Sequence, residues 1–231
     1  MSSAFLSGLR EALGAPGVAM AATFLAFGAA VREAGLGPGW ALLACWAIYG
    51  MPGQLVLVQA AATGWVGGIG AAVMGAVAVN ARFLPMAVSI APMLAARSRW
   101  RLLPAVPFIA VTPWAVAMRS LPAVDRPARV GWFLGCGLTS WVVAGTAALS
   151  GFYVAGALGA EARAALLFVN PLYYALLLAA DFDRPAPRRA VLCGVAAAAL
   201  ALMLPASAVL LASGLVGGTA AFLIGRRHGG S

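Results

Sequence analysis

The sequence predicts an all-α integral membrane protein with about seven transmembrane helices, in a range of about six to eight. Of the 231 residues, 63% are hydrophobic and only 9% are charged, against about 25% in soluble domains. No charged residue occurs between Ala34 and Ala81, between Val130 and Ala160, or between Ala190 and Gly225. Each stretch exceeds the roughly 20 residues that a helix needs to cross a membrane. The alternating pattern of a membrane β-barrel is not found anywhere in the chain.

Glycine, proline and charged residues divide the chain into apolar segments, each a candidate helix. They lie at about 13–31, 40–62, 66–96, 102–118, 130–151, 160–180, 190–204 and 206–225. The first is longer than the roughly 7 to 15 apolar residues of a signal peptide, which favours a retained span. The third contains Arg82, Pro85 and Pro92, so we expect a kink or a break there. The fourth contains three prolines and either fails to span fully or places its two flanking arginine loops on opposite sides.

We predict a single transmembrane domain over residues 1–231, with a polar tail at 226–231. The two halves are weakly similar, which suggests an internal repeat at about 10–118 and 128–225. The alternative is that proline and glycine only kink two helices for packing. Three glycine pairs at i, i+4 spacing, a pattern that allows close helix packing in membranes, are Gly64 and Gly68, Gly131 and Gly135, and Gly214 and Gly218.

The charge and the cysteines exclude several classes of protein. The net charge of +9 comes from arginines in short loops, which indicates membrane topology rather than a nucleic-acid interface. The complete use of arginine in place of lysine suggests a bacterial source, and so an inner-membrane location. The three cysteines lie in separate apolar runs and the chain has one histidine, so we expect no metal site, no cofactor and no catalytic residues. Without lysine, no phosphate-binding loop for ATP can be completed.

The clearest local anomaly is the stretch from Tyr49 to Gln54 in the second apolar run. Gly50, Pro52 and Gly53 interrupt the helical hydrogen bonds, and Gln54 places an amide beside the freed backbone groups. Irregular backbone at membrane depth is tolerated where it lines a cavity or is buried in protein. We therefore predict a solute-binding site at this break.

A second interruption is predicted at Asn170 and Pro171, inside the sixth run. Broken hydrophobic segments at corresponding places in two halves indicate a transporter site. We expect the two breaks to meet near mid-membrane, with Gly53 close to Asn170, and Pro171 shaping the site. The amides of Gln54, Asn80 and Asn170 are then candidate ligands for a zwitterionic solute.

Arg82 is the one charge well inside an apolar stretch. A charged side chain there costs about 2.5 kcal/mol or more unless it is paired or hydrated. Its guanidinium offers two parallel donors to a substrate carboxylate. The alternative is that Arg82 marks the end of a span and extends to the lipid headgroups.

These motifs together resemble the AzlC family of bacterial branched-chain amino acid permeases, over roughly residues 5–225. That family carries a small-residue stretch ending in Gln, as in Gly50-Met51-Pro52-Gly53-Gln54, and then Asn-x-Arg-His, matched at Asn80 and Arg82. An arginine-rich turn follows, at Arg97, Arg99 and Arg101. The family's His is Phe83 here, and an acidic Thr-Asp-Glu of many members is Thr112-Pro113-Trp114.

The resemblance implies export of branched-chain or related amino acids by a secondary mechanism, with a small AzlD-type membrane subunit as partner. A channel or a structural membrane subunit stays open, because broken glycine-rich helices also line pores. An intramembrane enzyme is disfavoured, since the single histidine, His228, lies in the polar tail.

Overall fold

A computed structural model describes residues 3–94, 99–180, 182–201 and 206–228. Over these ranges the chain forms α-helices and short 3₁₀ helices and no strand, so the all-α prediction is confirmed. The α-helices are α1 (Ser3–Ala12), α2 (Ala15–Glu33), α3 (Pro38–Ala47), α4 (Met51–Ala62), α5 (Ile69–Asn80), α6 (Phe83–Ile90), α7 (Val111–Ser120), α8 (Arg129–Ala157), α9 (Ala160–Ala180), α10 (Pro185–Ala201) and α11 (Ala206–His228). The 3₁₀ helices are Arg99–Phe108, Leu121–Ala123 and Arg126–Ala128.

Proline and glycine set the ends of the first helices. Proline stands in the first turn of α2, α3 and α4, where its missing N–H has no intrahelical partner to lose. Helix α2 ends at Glu33, and Gly35, two residues later, has a φ of 71° in the left-handed region. The amide of Gly35 donates to Arg32 O at 3.0 Å and that of Leu36 donates to Val31 O at 3.1 Å. This paired arrangement satisfies the last carbonyls of the helix.

Helix α8 is the centre of the first unit, and two hydrophobic clusters lie along it. One joins its second half to α2, α3 and α4 around Phe27, Cys45 and Phe152. The other joins its first half to α6, α7 and the first 3₁₀ helix around Ile90 and Trp132. Both clusters pack on the same 29-residue helix, which therefore holds the shorter elements in place.

Glycines allow α2 and α8 to approach within backbone contact. A methyl group added at Gly28 would overlap the carbonyl oxygen of Ala148, and one added at Gly151 would overlap that of Leu25. Small residues at such crossings give the close packing that associates helices in a membrane. Of the predicted glycine pairs, Gly135 of α8 makes a contact of this kind with Phe5 of α1.

The other two predicted glycine pairs do not pack helices. Gly64 and Gly68 lie between α4 and α5 with φ of 68° and 89°, and nothing lies near the position of an added methyl group. They close a turn, because the left-handed region suits glycine. Gly214 and Gly218 of α11 also face open space, and the helix contact is made by Gly217 instead.

Three helical stretches of the described residues are long and apolar enough to cross a membrane: Ala15–Glu33, Ile69–Ile90 and Arg126–Ala157. The count of about seven spans stays a prediction. The segment predicted at 102–118 is divided between the ten-residue 3₁₀ helix and the ten-residue α7, and neither reaches the roughly 20 residues of a span. Helix α1, which precedes the first predicted span, was not foreseen.

The break predicted at Asn170 and Pro171 is wrong, because α9 runs unbroken from Ala160 to Ala180 with Pro171 inside it. A lone proline removes one helical hydrogen bond and can be accommodated as a kink. The chain divides into two compact units, Met1–Val169 and Asn170–Ser231. The single domain and the internal repeat at 10–118 and 128–225 stay predictions.

Candidate functional site

The break between α3 and α4 lies where the sequence predicts it. Helix α3 ends at Ala47 and α4 begins at Met51. Between them Tyr49 has a φ of 42°, a left-handed conformation that costs a residue with a side chain about 1 to 3 kcal/mol. The N–H groups of Tyr49 and Gly50 donate to no backbone carbonyl among the described residues. The break therefore leaves free backbone groups inside an apolar segment.

Tyr49 is held in this conformation by α2. Its buried ring stacks on Phe24, with ring centroids 6.4 Å apart and an interplanar angle of 25°. Its hydroxyl donates to the sulfur of Met20 at 3.8 Å. Both partners belong to the cluster that packs on α8, so the break is fixed to the centre of the first unit.

Gln54 ties the two halves of the broken segment together. It is fully buried, and its Nε2 donates to Ala44 O, near the end of α3, at 3.0 Å. Its own amide closes the first turn of α4 by donating to Gly50 O at 3.0 Å. The side-chain Oε1 is buried without a hydrogen-bond partner among the described residues. The Nε2 of the Gln54 side chain therefore holds α3 and α4 together at the break, whereas its Oε1 has no partner in the described part of the chain.

Asn80, at the end of α5, lies directly on the first turn of α4. A methyl group added at Gly53 would overlap the Asn80 carboxamide, and one added at Gly50 would come within 2.7 Å of Asn80 Oδ1. This Oδ1 is likewise buried without a partner in the described part of the chain. Two amides that are distant in sequence are thus brought to the same break, each with an unpaired oxygen.

Phe83 and Arg82 continue the site along the chain from Asn80. A methyl group at Gly50 would lie 2.9 Å from two ring carbons of Phe83, so this ring also covers the break. The guanidinium carbon of Arg82 lies 5.5 Å from the centre of the same ring, within reach of a cation–π interaction. The Nε of Arg82 is buried without a hydrogen-bond partner among the residues described. Arg82 lies inside the 22-residue stretch Ile69–Ile90 rather than at its end.

A cavity of about 760 Å³ opens beside this cluster of polar groups. Its walls are mainly aliphatic and aromatic side chains from α3, α4, α5, α6 and the first 3₁₀ helix, including Trp46, Leu57, Val77 and Ile109. Asn80, Tyr49 and Phe83 also line it, whereas Gln54 and Arg82 lie outside the lining. The volume lies within the range of about 300 to 1,000 Å³ of small-molecule sites.

The structure therefore joins three of the four predicted ligand residues around one break and leaves the fourth untested. Gln54, Asn80 and Arg82 belong to the first unit, whereas Asn170 opens the second. The proximity of Gly53 to Asn170 stays a prediction, as do the ligand roles of all four residues. Pro171 is exposed within α9, whereas Gly50 and Gly53 directly shape the break.

Sequence reasoning missed Phe83 and Tyr49 as parts of the site. Phe83 stands where the resemblance leads one to expect His, and that departure was the signal that could have identified it. Among the described residues, no group of three or more His, Cys, Asp or Glu side chains could hold a metal ion. The stretch Thr112-Pro113-Trp114 lies in α7, where the indole of Trp114 donates to Ser89 Oγ at 2.9 Å. Arg97 of the arginine-rich turn lies outside the described residues.

The fold and the break define a helical membrane protein with a largely apolar cavity beside an interrupted helix. The profile of one family, described as AzlC protein, matches residues 16–158. This match covers more than half of the chain and includes the whole break, so the chain belongs to the AzlC family. No curated protein and no solved structure gives a match.

Proposed function

We propose that this protein is a secondary transporter that exports branched-chain or related amino acids across the bacterial inner membrane. Membership of the AzlC family supports transport of this class of solute. The proposal includes a multi-pass chain of about seven spans and a small AzlD-type membrane subunit as partner. The largely apolar cavity, lined by Asn80 with its unpaired amide oxygen, is the observation that carries it.

The shape and chemistry of the cavity suit a zwitterion with an aliphatic side chain. Leu57, Val77 and Ile109 offer apolar surface to such a side chain, and its transfer from water would contribute about 0.8 kcal/mol for each buried CH₂ group. The Asn80 Oδ1 can accept from the substrate ammonium group. The start of α4 and the guanidinium of Arg82 favour a carboxylate, because a helix N-terminus carries partial positive charge.

Gln54 and Asn170 complete the proposed set of ligand residues. Gln54 is not part of the cavity lining, and its Nε2 donates to Ala44 O. We assign its unpaired Oε1 to the substrate once the break opens. For Asn170 the support is its place beside Pro171 in a long apolar run. Alternating exposure of the site to the two sides of the membrane would follow from movement around the break.

The partner subunit is proposed from the family resemblance. Helix α5 supports it, because Ile69 and Met74 are exposed large hydrophobic residues of this helix that lie outside the cavity lining. An exposed face of this kind in a membrane must be covered by lipid or by another helix.

The first test is substrate counterflow in proteoliposomes containing the purified chain, with and without a co-expressed AzlD-type subunit. We expect saturable exchange of external labelled leucine for internal unlabelled leucine, because a carrier must return its site in each cycle. Lysine would be the control solute, since its side chain carries a charge that the apolar cavity cannot pair. Leucine flux that is unsaturable and shows no counterflow, with and without the subunit, would instead establish a channel.

The second test is the variant Arg82→Ala. We expect the apparent affinity for leucine to fall about ten-fold or more, because a hydrogen bond to a charged group contributes about 1.5 to 3 kcal/mol. The measurement is the concentration dependence of counterflow at equal protein content. Arg126→Ala, which removes an exposed arginine near the start of α8, should leave the affinity unchanged. An unchanged affinity in Arg82→Ala would assign this residue to the headgroup region instead.

A further inference from the structure

The helices α10 and α11 form an antiparallel pair within the second unit. A methyl group at Gly217 of α11 would lie 2.7 Å from the Cα of Gly194 of α10. Further along α11, one at Gly225 would lie 3.6 Å from a terminal nitrogen of Arg189. Later residues of α11 thus lie beside earlier residues of α10. The start of α10 and the end of α11 therefore lie at the same end of the pair.

A cavity of about 590 Å³ lies at that end, between the two helices. Two arginines from different helices, Arg189 and Arg226, line it together with small residues such as Ala186 and Gly218. Phe222 also contributes, and the guanidinium carbon of Arg226 lies 5.9 Å from the centre of its ring. The absence of side-chain bulk at Gly218 and Gly225 leaves room between the two guanidinium groups and the helices.

The charge of this cavity is unbalanced. No Asp or Glu occurs after Asp183, whereas Arg184, Arg188, Arg189, Arg226 and Arg227 all follow it. The Nε of Arg189 is buried and has no hydrogen-bond partner in the described part of the chain. Because arginine stays protonated and the cavity lining contains two arginines and no acidic residue, the cavity has the chemistry of an anion site. Two guanidinium groups are well suited to the oxygens of a phosphate.

Both helices of this pair carry exposed large apolar side chains. Phe222 and Leu223 are 63% and 53% exposed, and Leu192 of the facing helix is 56% exposed. These surfaces lie along the uncharged stretch from Ala190 to Gly225, which the sequence predicts to be in the membrane. A soluble phosphate would use only the arginines, whereas a lipid would also cover these side chains.

We propose that the cavity between α10 and α11 binds the phosphate headgroup of an anionic phospholipid, with Arg189 and Arg226 as its ligands and the acyl chains against Phe222 and Leu192. Basic pockets between membrane helices are a known mode of headgroup binding. The bound lipid would neutralise Arg189 and fix the start of α10 to the end of α11. The site is independent of the cavity beside the α3–α4 break and does not depend on the transport proposal.

The test uses the full-length chain in mild detergent, with phosphatidylglycerol as the lipid probe and native mass spectrometry to count bound molecules. We expect one tightly retained phosphatidylglycerol, and we expect Arg189→Gln and Arg226→Gln each to weaken its binding about ten-fold. Arg226 is exposed, so its replacement tests the site even where the Arg189 variant folds poorly. Arg10→Gln, at an exposed arginine of α1, is the matched control and should bind as the unchanged protein does.

Two further probes, one a neutral lipid and one a soluble phosphate, test whether the site selects an anionic phospholipid. Phosphatidylcholine should bind more weakly than phosphatidylglycerol, because its headgroup has no net charge. Glycerol phosphate should not displace the bound lipid, because it has no acyl chains to contact Phe222. Equal retention of phosphatidylglycerol by Arg226→Gln and Arg10→Gln, or its displacement by glycerol phosphate, would overturn the proposal.

Discussion

Replacement of Gly53 by alanine should abolish most transport while leaving the protein folded in the membrane. The added methyl group would overlap the Asn80 carboxamide, so α5 and its polar end must move away from the break. In enzymes a displacement of about 1 Å at a site can cost about 100-fold in rate. We expect leucine counterflow to fall at least about ten-fold, measured at equal protein content in proteoliposomes.

Gly70→Ala is the matched control for this prediction. Gly70 is an exposed glycine of α5 with open space around the added methyl group, so transport should be unchanged. The double variant Gly53→Ala with Asn80→Ala removes the overlap and the amide together. It should regain the thermal stability of the original protein but not its transport. Recovery of full transport in the double variant would show that Asn80 does not bind the solute.

Replacement of Gly28 by valine should destabilise the protein more than any change at the candidate site. The valine side chain would overlap the carbonyl oxygen of Ala148. Neither α2 nor α8 can move away without disrupting the cluster around Phe27 and Phe152. Overpacking typically costs about 1 to 3 kcal/mol and can cost more. For a chain of this size, 3 kcal/mol corresponds to a Tm lower by about 6 to 12 °C.

Thermal unfolding in detergent, followed by tryptophan fluorescence, measures this effect. Gly39→Val is the control, because Gly39 is exposed and has no atom near its added side chain. It should change the Tm by no more than a small amount. A Gly28→Val protein with the original Tm would mean that α2 and α8 do not touch at this crossing.

The break at Tyr49 and Gly50 could be predicted because two glycines flank a proline within a few residues. Together they remove a donor and admit backbone conformations that a helix excludes. The same reasoning failed at Asn170 and Pro171, where one proline stands among helix-compatible residues and α9 continues through it. Proline alone is thus a weaker signal than proline between glycines.

The composition of the cavity could not be read from the sequence. Asn80 reaches Gly53 across 27 positions, and Phe83 reaches Gly50, contacts that depend on how α5 returns against α4. Residue type identified Gln54, Asn80 and Arg82 as candidates, yet only Asn80 lines the cavity. Whether a side chain lines the cavity depends on its burial and on the direction in which it points, and neither property follows from residue type.

The short elements were also beyond prediction. The three prolines within 102–118 indicated irregular structure, but their division into a 3₁₀ helix and α7 depends on packing against α8. Glycine pairs were equally ambiguous, since Gly135 packs against a helix whereas Gly64 closes a turn. Spacing alone cannot distinguish a helix contact from a chain reversal.

The contrast between α8 and α5 determines which part of the first unit can rearrange at low cost. In an 18-residue apolar window of each helix, 50% of the residues are buried for Ala15–Glu33 and 44% for Arg126–Ala157, against 11% for Ile69–Ile90. Separating α2 from α8 would break close backbone contacts. Tilting the α5–α6 segment would break few contacts, because most of its surface is not buried in the protein. We therefore expect the α5–α6 segment to swing outward about Ala81 and Arg82 when the solute is released. Helices α2 and α8, which pack through their glycines, would stay in place.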